Sequence, residues 1–334
     1  MFYSSNGYIS LINQKNSYFI LARNNCSIVI DKLHFFSVFI KLFIFYSNNL
    51  IYLKNVDLSK SETIFNSLTD FGLISLTPIN NMTLNNIIFE NMIFPICKSY
   101  EYSNINLIFN NIIFIPIESM NQQTFPFIFN SNMRILIQNC TFHNFGSIFL
   151  IGHSNNVLIT NSKIMNWASA SSPNSIIEAE TNNRIKMKNC FINGTQHVPD
   201  STRLFFFILN NYFAIEASKL NVSSAFSPTF THHAIFLEAN LYNKIKLKKV
   251  KVEIQDFFCF LKSNQNNLIL FFSMYFEQGR TLSTFFIILT FSQFLGEDLV
   301  FSNFLSNFVK SFHDFIQITN LQMANIKNSF CLIT

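Results

Sequence analysis

The sequence predicts an all-β fold, a right-handed parallel β-helix solenoid of about twelve coils, each with three short strands. Three observations carry this expectation. A short strand–turn–strand motif returns every 22–32 residues, apolar residues alternate on both sides of its turn, and no copy offers the i, i+3, i+4 apolar spacing of a helix.

The motif is an apolar pair at alternate positions, an Asn two residues on, and a second alternating pair. It reads Ile51-Tyr-Leu53-Lys-Asn55-Val56-Asp-Leu58, then Met82-Thr-Leu84-Asn-Asn86-Ile87-Ile-Phe89, then Leu107-Ile-Phe109-Asn-Asn111-Ile112-Ile-Phe114. It continues as Ile135-Leu-Ile137-Gln-Asn139-Cys140-Thr-Phe142, Val157-Leu-Ile159-Thr-Asn161-Ser162-Lys-Ile164 and Ile185-Lys-Met187-Lys-Asn189-Cys190-Phe-Ile192. In further copies Lys32, Ala217, Lys249 and Phe272 take the central slot. Period-two alternation means strands, whose successive side chains point to opposite faces. A third strand falls before each motif, at 127–129, 148–151, 176–179, 205–209, 234–237 and 257–261.

Three strands in so short a repeat stack as coils about 4.8 Å apart, with equal positions in columns. The turn residues Asn55, Asn86, Asn111, Asn139, Asn161 and Asn189 then form a ladder. Asn tolerates the left-handed backbone of a sharp turn, and stacked amides are expected to hydrogen-bond from coil to coil in a buried column. Three residues on, Phe35, Leu58, Phe89, Phe114, Phe142, Ile164, Ile192, Leu220, Val252 and Tyr275 make an apolar core column. A leucine-rich repeat places its Asn three residues after the second Leu rather than two, and is set aside.

Of the 334 residues, 49% are hydrophobic and 12% charged. The charged share is about half the usual 25%, and so apolar a chain is not disordered. Phe numbers 43, a bias expected of an AT-rich genome, so position rather than count carries meaning. The longest apolar stretches, 35–46 and 285–295, fall short of the ~18–20 residues a membrane-spanning helix needs. The start carries neither the basic segment nor the apolar run of a signal peptide. No capping helix precedes the first coil within 8–21, and 329–334 reads as a strand cut in mid-coil. Residues 1–334 are therefore expected to be a single β-helix domain, as a fragment of a longer chain.

Over nearly its whole length this repeat resembles the pectin-lyase-like superfamily of right-handed parallel β-helices. Copies such as Asn139-Cys-Thr-Phe-His-Asn144 look like those of surface and adhesin-like β-helix proteins of microbes, and the Phe/Ile/Asn bias is similar to that of ciliated protists. The resemblance implies fold more than activity. Polygalacturonase-like members carry Asn-Thr-Asp, a paired Asp, Gly-His-Gly and Arg-Ile-Lys. This chain has Arg184-Ile185-Lys186 and the incomplete Gly152-His153-Ser154, without the carboxylate motifs. The seven Asp are scattered, which leaves no Ca²⁺ cluster of the pectate-lyase kind.

Catalytic candidates reduce to Glu178 and Glu180, on one face of a strand, with Glu238 on a later coil. Their plainer reading is solvated surface charge. Lys186, Lys188, Lys246 and Lys248 occupy outward slots of one strand column, and Lys163, Lys219 and Lys251 those of the next. They are read as a basic patch for an acidic glycan, against the alternative that outward Lys keeps a Phe-rich solenoid soluble. Sequons at Asn25, Asn81, Asn193 and Asn221 fall in turns or near strand ends, whereas the sequon at Asn139 belongs to the ladder and is expected to be buried. His232-His233 reads as a surface pair, Cys140 and Cys190 as small core residues, and no metal-ligand spacing or cofactor motif is present.

The function expected is a non-enzymatic extracellular or cell-surface module with a structural or adhesive role. Its partners would be glycans or other surface proteins rather than nucleic acid. The alternatives are a degenerate or unrecognised polysaccharide lyase or glycoside hydrolase, and a glycan-binding module using the basic patch.

Overall fold

The computed structural model describes residues 2–9, 18–23, 27–35, 41–46, 50–54, 74–76, 81–92, 97–99, 105–116, 127–143, 148–169, 175–196, 206–208, 211–224, 235–255, 259–277, 285–302, 307–310, 315–324 and 332–333. Side chains discussed below lie between Met82 and Thr319. Two compact units divide the chain, Met1–Lys163 and Ile164–Thr334. Each is a parallel β-solenoid, with no helix among the described residues and so none long and apolar enough to cross a membrane.

Each unit arranges its strands in two sheets, every pairing parallel. In the first unit one sheet carries the motif strands, such as Asn81–Met92 paired with Asn106–Pro116, and Arg134–Gln138 paired with Asn156–Thr160. The other sheet is built from Tyr18–Arg23, Lys41–Tyr46, Ile74–Leu76, Cys97–Ser99, Phe127–Ser131 and Phe149–His153. In the second unit that role falls to Ile177–Ala179, Phe206–Ile208, Ile235–Ala239, Cys259–Ser263, Phe285–Leu289, Asn307–Lys310 and Leu332–Ile333. The six third strands placed from the sequence each overlap a strand of this sheet, the last shifted to Cys259–Ser263. The expected count of about twelve coils is off, since six such strands belong to the first unit and seven to the second. Gln293–Ser302 adds a further copy of the motif, with Asp298 in the turn slot.

At the turn inside the motif Asn86, Asn111, Asn139, Asn161 and Asn189 all take positive φ, between 50° and 55°. Asn55 lies outside the described residues. These Asn are exposed rather than buried, because the left-handed turn throws the side chain away from the core. The Asn111 amide donates to Asn86 Oδ1 at 2.7 Å, while Asn139 donates to Asn110 at 3.2 Å. The slot continues as Ala217, Lys249, Ser273 and Asp298, all with positive φ. In 268–275 the turn is thus at Ser273, not Phe272, which moves the core position from Tyr275 to the buried Phe276.

A second ladder, one that the motif did not announce, lies inside. Six residues before the turn residues Asn161, Asn189, Ala217, Lys249 and Ser273, and directly before the strand, stand Asn155 in the first unit and Asn183, Asn211, Asn243 and Asn267 in the second, each at most 4% exposed. The amide oxygens of Asn211, Asn243 and Asn267 accept the backbone N–H of Asn183, Asn211 and Asn243 at 2.7–2.8 Å. The amide nitrogens donate to carbonyls of the preceding turn, as Asn267 does to Ala239 at 3.2 Å and Asn264 at 3.2 Å. Buried backbone groups need partners, and this column supplies them where the chain turns too sharply for strand pairing.

Between the sheets the core is apolar columns. Phe114 stacks on Phe142 with centroids 4.8 Å apart in the first unit, and Phe276 on Phe301 at 4.7 Å in the second. Cys140 and Cys190 are buried thiols. Burial pushes the Cys140 thiol up to about 11, outweighing the backbone hydrogen bonds around it. Its neutral form therefore favours the fold below the usual thiol value, and that contribution is lost as pH rises toward about 11. At neutral pH both thiols should resist alkylation until the chain is unfolded in urea; labelling of the folded protein at the unfolded rate would contradict this packing.

Candidate binding surface

The outward face of the second unit's first sheet follows from alternation. Along Arg184–Lys188, Ile185 and Met187 are buried, which leaves Arg184, Lys186 and Lys188 outside. Lys244–Lys248 repeats the pattern with Ile245 and Leu247 inside. Tyr212–Glu216 lies between them, so Tyr212, Ala214 and Glu216 stand in register between the two cationic rows. Cations along a row are roughly 6.6 Å apart, and the rows, two coils apart, roughly 10 Å. Ala214 is fully buried although it faces outward, because its methyl group lies below the lysine stems on either side.

Six cations thus surround one carboxylate, Glu216, which pairs with Lys186 at 3.1 Å. Arg184 lies over the Tyr212 ring, 5.4 Å from its centroid. Among the described residues no carboxylate lies within ion-pair distance of Lys188, Lys244, Lys246 or Lys248. The structure therefore assembles the predicted Lys186, Lys188, Lys246 and Lys248 on one face and adds Arg184 and Lys244, which close spacing to the same strands marks in the sequence.

The neighbouring strip behaves differently. Lys219 and Lys251 are in register, but Glu253 binds both, at 3.4 and 3.1 Å, and Glu277 binds Lys251 at 2.6 Å. Burial alone would push the Glu253 carboxyl up, but hydrogen bonds from Lys251 and Lys219 outweigh it and hold the group below its usual value. The hydrogen bonds that Lys251 donates to Glu277 and Glu253 hold its own ammonium above the usual lysine value. Lys219 and Lys251 also lie over Phe191 and Tyr275, at 6.0 and 5.4 Å. This strip is neutralised, so Lys219 and Lys251 do not extend the basic patch. Lys163 belongs to the first unit.

The cationic rows end at an apolar border. Lys244, Lys246 and Lys248 are in register with Leu268, Leu270 and Phe272, and these with Gln293, Leu295 and Glu297. Phe272, Leu295, Gly296, Glu297, Gln317 and Thr319 line a shallow depression of about 170 Å³.

Of the carboxylate candidates, Glu178 and Glu180 face outward together, two residues apart, and Glu238 stands apart from them. Glu178 lies on Ile177–Ala179 and Glu238 on Ile235–Ala239, with Phe207 in register between them. That places them two coils apart, roughly 10 Å, and Glu238 pairs with Lys262 at 3.6 Å. Glu180 lies one residue past its strand and is exposed. His153 is exposed at the end of Phe149–His153. Among the described residues no three His, Cys, Asp or Glu side chains are grouped to hold a metal ion.

Two sequons are not turn sites. Asn193 and Asn221 are half-buried in mid-strand, in register with each other and with Glu253. Asn139, discounted as buried, is exposed at its turn. Asn81 opens the strand Asn81–Met92, while Asn25 and His232-His233 lie outside the described residues.

No family model and no curated protein matches this sequence. Among solved structures, the chain is similar to PfbA, a surface adhesin of Streptococcus pneumoniae, with a TM-score of 0.39 and 11% identity over 97% of this chain and 83% of that one.

Proposed function

We propose that this chain is a non-enzymatic β-helix module of the cell surface, with a structural and adhesive role, whose second unit adheres to an acidic partner. The observation that carries the reading is the contrast between two adjacent strips of one sheet. The fold solves the charge problem of Lys219 and Lys251 by placing Glu253 and Glu277 beside them. It does not do so across Arg184–Lys188 and Lys244–Lys248, where a single Glu216 serves six cations. Lysines needed only for solubility do not require such concentration, whereas a face of one sign raises the local concentration of a polyanion and speeds its docking. The separation of Glu178 from Glu238, and the ion pair that occupies Glu238, remove Glu238 as a partner for glycoside hydrolysis, which needs two carboxyl groups flanking one bond, and leave only Glu178 and Glu180 for that role.

The test uses a sulfated polysaccharide, dextran sulfate, against neutral dextran. The chain is expected to bind only the sulfated polymer, with affinity falling as salt rises. Lys186→Glu with Lys246→Glu should weaken binding by about tenfold or more, while Lys219→Gln leaves it unchanged. Equal loss in both variants would remove the assignment to this strip. Turnover of a polyuronate that disappears in Glu178→Gln would overturn the non-enzymatic part.

A further inference from the structure

Among the described residues, the turn that leads into the first sheet also takes a left-handed residue in six coils. In four of these the residue suits the conformation: Asn132 and Ser154 in the first unit, Asn182 and Asn266 in the second, with φ of 56–61°. Two coils of the second unit break the rule. Tyr242 and Phe291 stand there at φ 56° and 48°, where bulky side chains are conformational outliers. They are also 63% and 51% exposed, and Leu241 beside Tyr242 is 39% exposed. Both local backbone preference and solvation disfavour these residues, although neighbouring coils show Asn in the same slot.

The positions stack. Tyr242 N–H donates to Gln265 O at 3.3 Å, and Asn266 N–H to Phe291 O at 2.7 Å. Tyr242 and Phe291 therefore top one turn ridge with a single Asn between them, roughly 10 Å apart at the backbone. Lys244 follows Tyr242 by two residues and begins the row Lys244, Lys246 and Lys248, and Leu268, Leu270 and Leu295 continue that face in register. A soluble polyanion would engage the cations and leave the ridge unused.

We infer that this ridge and the cationic rows beside it together form a surface that rests on an anionic lipid bilayer, with Leu241, Tyr242 and Phe291 entering the interface and the lysines facing acidic headgroups. The inference rests on the adhesive reading and names its partner. Exposed apolar side chains next to Lys are the arrangement of proteins that lie on membranes, aromatic rings favour the headgroup level, and each Lys near an acidic leaflet adds attraction. Charge complementarity selects the acidic bilayer over a neutral one.

Sedimentation with vesicles of phosphatidylcholine alone or with added phosphatidylserine tests this, with dextran sulfate binding measured in parallel. The chain should bind the acidic vesicles at least about tenfold more tightly than the neutral ones. Tyr242→Asn with Phe291→Asn should lose about tenfold of the vesicle affinity. The same pair should leave dextran sulfate binding unchanged and the thermal midpoint equal or higher, since Asn suits positive φ. Vesicle binding that ignores the pair would overturn the inference, because charge alone would then explain it. Dextran sulfate binding without vesicle binding would also overturn it and leave the adhesive reading standing, whereas failure of both ligands removes both.

Discussion

Asn243→Ala is expected to destabilise the second unit by about 3–5 kcal/mol, near the upper end for a single substitution. The side chain is 2% exposed, and its amide works in both directions. Its oxygen accepts the Asn211 N–H at 2.8 Å, and the two hydrogens of its nitrogen are donated to Asn240 O at 2.9 Å and Asn267 Oδ1 at 3.0 Å. Alanine leaves the Asn211 N–H buried without that acceptor, at about 1–3 kcal/mol, and each lost bond adds about 1 kcal/mol. Asn189→Ala, in the exposed outer ladder, should cost only about 1 kcal/mol through its left-handed backbone, and Ala217 already occupies that slot at φ 48°. Urea unfolding compares the two, and hydrogen exchange at Asn211 localises the effect. Equal losses, or an Asn211 amide as protected as before, would mean that the inner column is not what holds the turn.

The difference between these two ladders explains what the sequence makes legible. The outer Asn stands at a fixed place between two alternating apolar pairs, so period and position reinforce each other, and strands, turn and core columns such as Phe114 on Phe142 follow. The inner Asn falls in the variable connection, in runs such as Asn182-Asn183 and Asn266-Asn267, where an Asn-rich composition hides it. Its signal is the constant offset of six residues to the next turn residue, which holds from Asn155 to Asn267 even after the outer slot becomes Ala217, Lys249 and Ser273. The outer ladder is exposed although its amides stack, because stacking alone does not say which way a turn faces; φ does. The cationic rows were legible because a strand's outward slots are fixed by alternation. Neutralisation of Lys219 and Lys251 was not, since Glu253 reaches Lys219 and Glu277 reaches Lys251 from the next coil, whose spacing varies.

Gly152→Ala should cost the first unit about 3 kcal/mol or more, for a reason that has nothing to do with glycine's backbone freedom. Gly152 lies on Phe149–His153, which pairs with Phe127–Ser131 so that Gly152 falls beside Asn130. A Cβ there would overlap the Asn130 carbonyl oxygen and stand 2.9 Å from its carbon and 3.1 Å from its Cα. Those atoms are main chain and cannot rotate away. The same Asn130 carbonyl accepts from the Asn155 amide at 3.2 Å, and the Asn130 N–H donates to the buried Ser99 Oγ at 2.8 Å. Moving it therefore disturbs three coils, and overpacking against a fixed backbone belongs at or above the usual 1–3 kcal/mol. Gly296→Ala is the contrast: its Cβ would meet Leu299 Cδ1 at 2.8 Å and Phe294 Cε1 at 3.2 Å, both ends of side chains. A loss of about 1 kcal/mol is expected there, because Leu299 has another rotamer to take. Thermal unfolding of the two variants separates the cases. If Gly152→Ala proved as mild as Gly296→Ala, the coils at Asn130 would have to part without losing the Ser99 and Asn155 contacts, and the close approach at Gly152 would not be what sets their register.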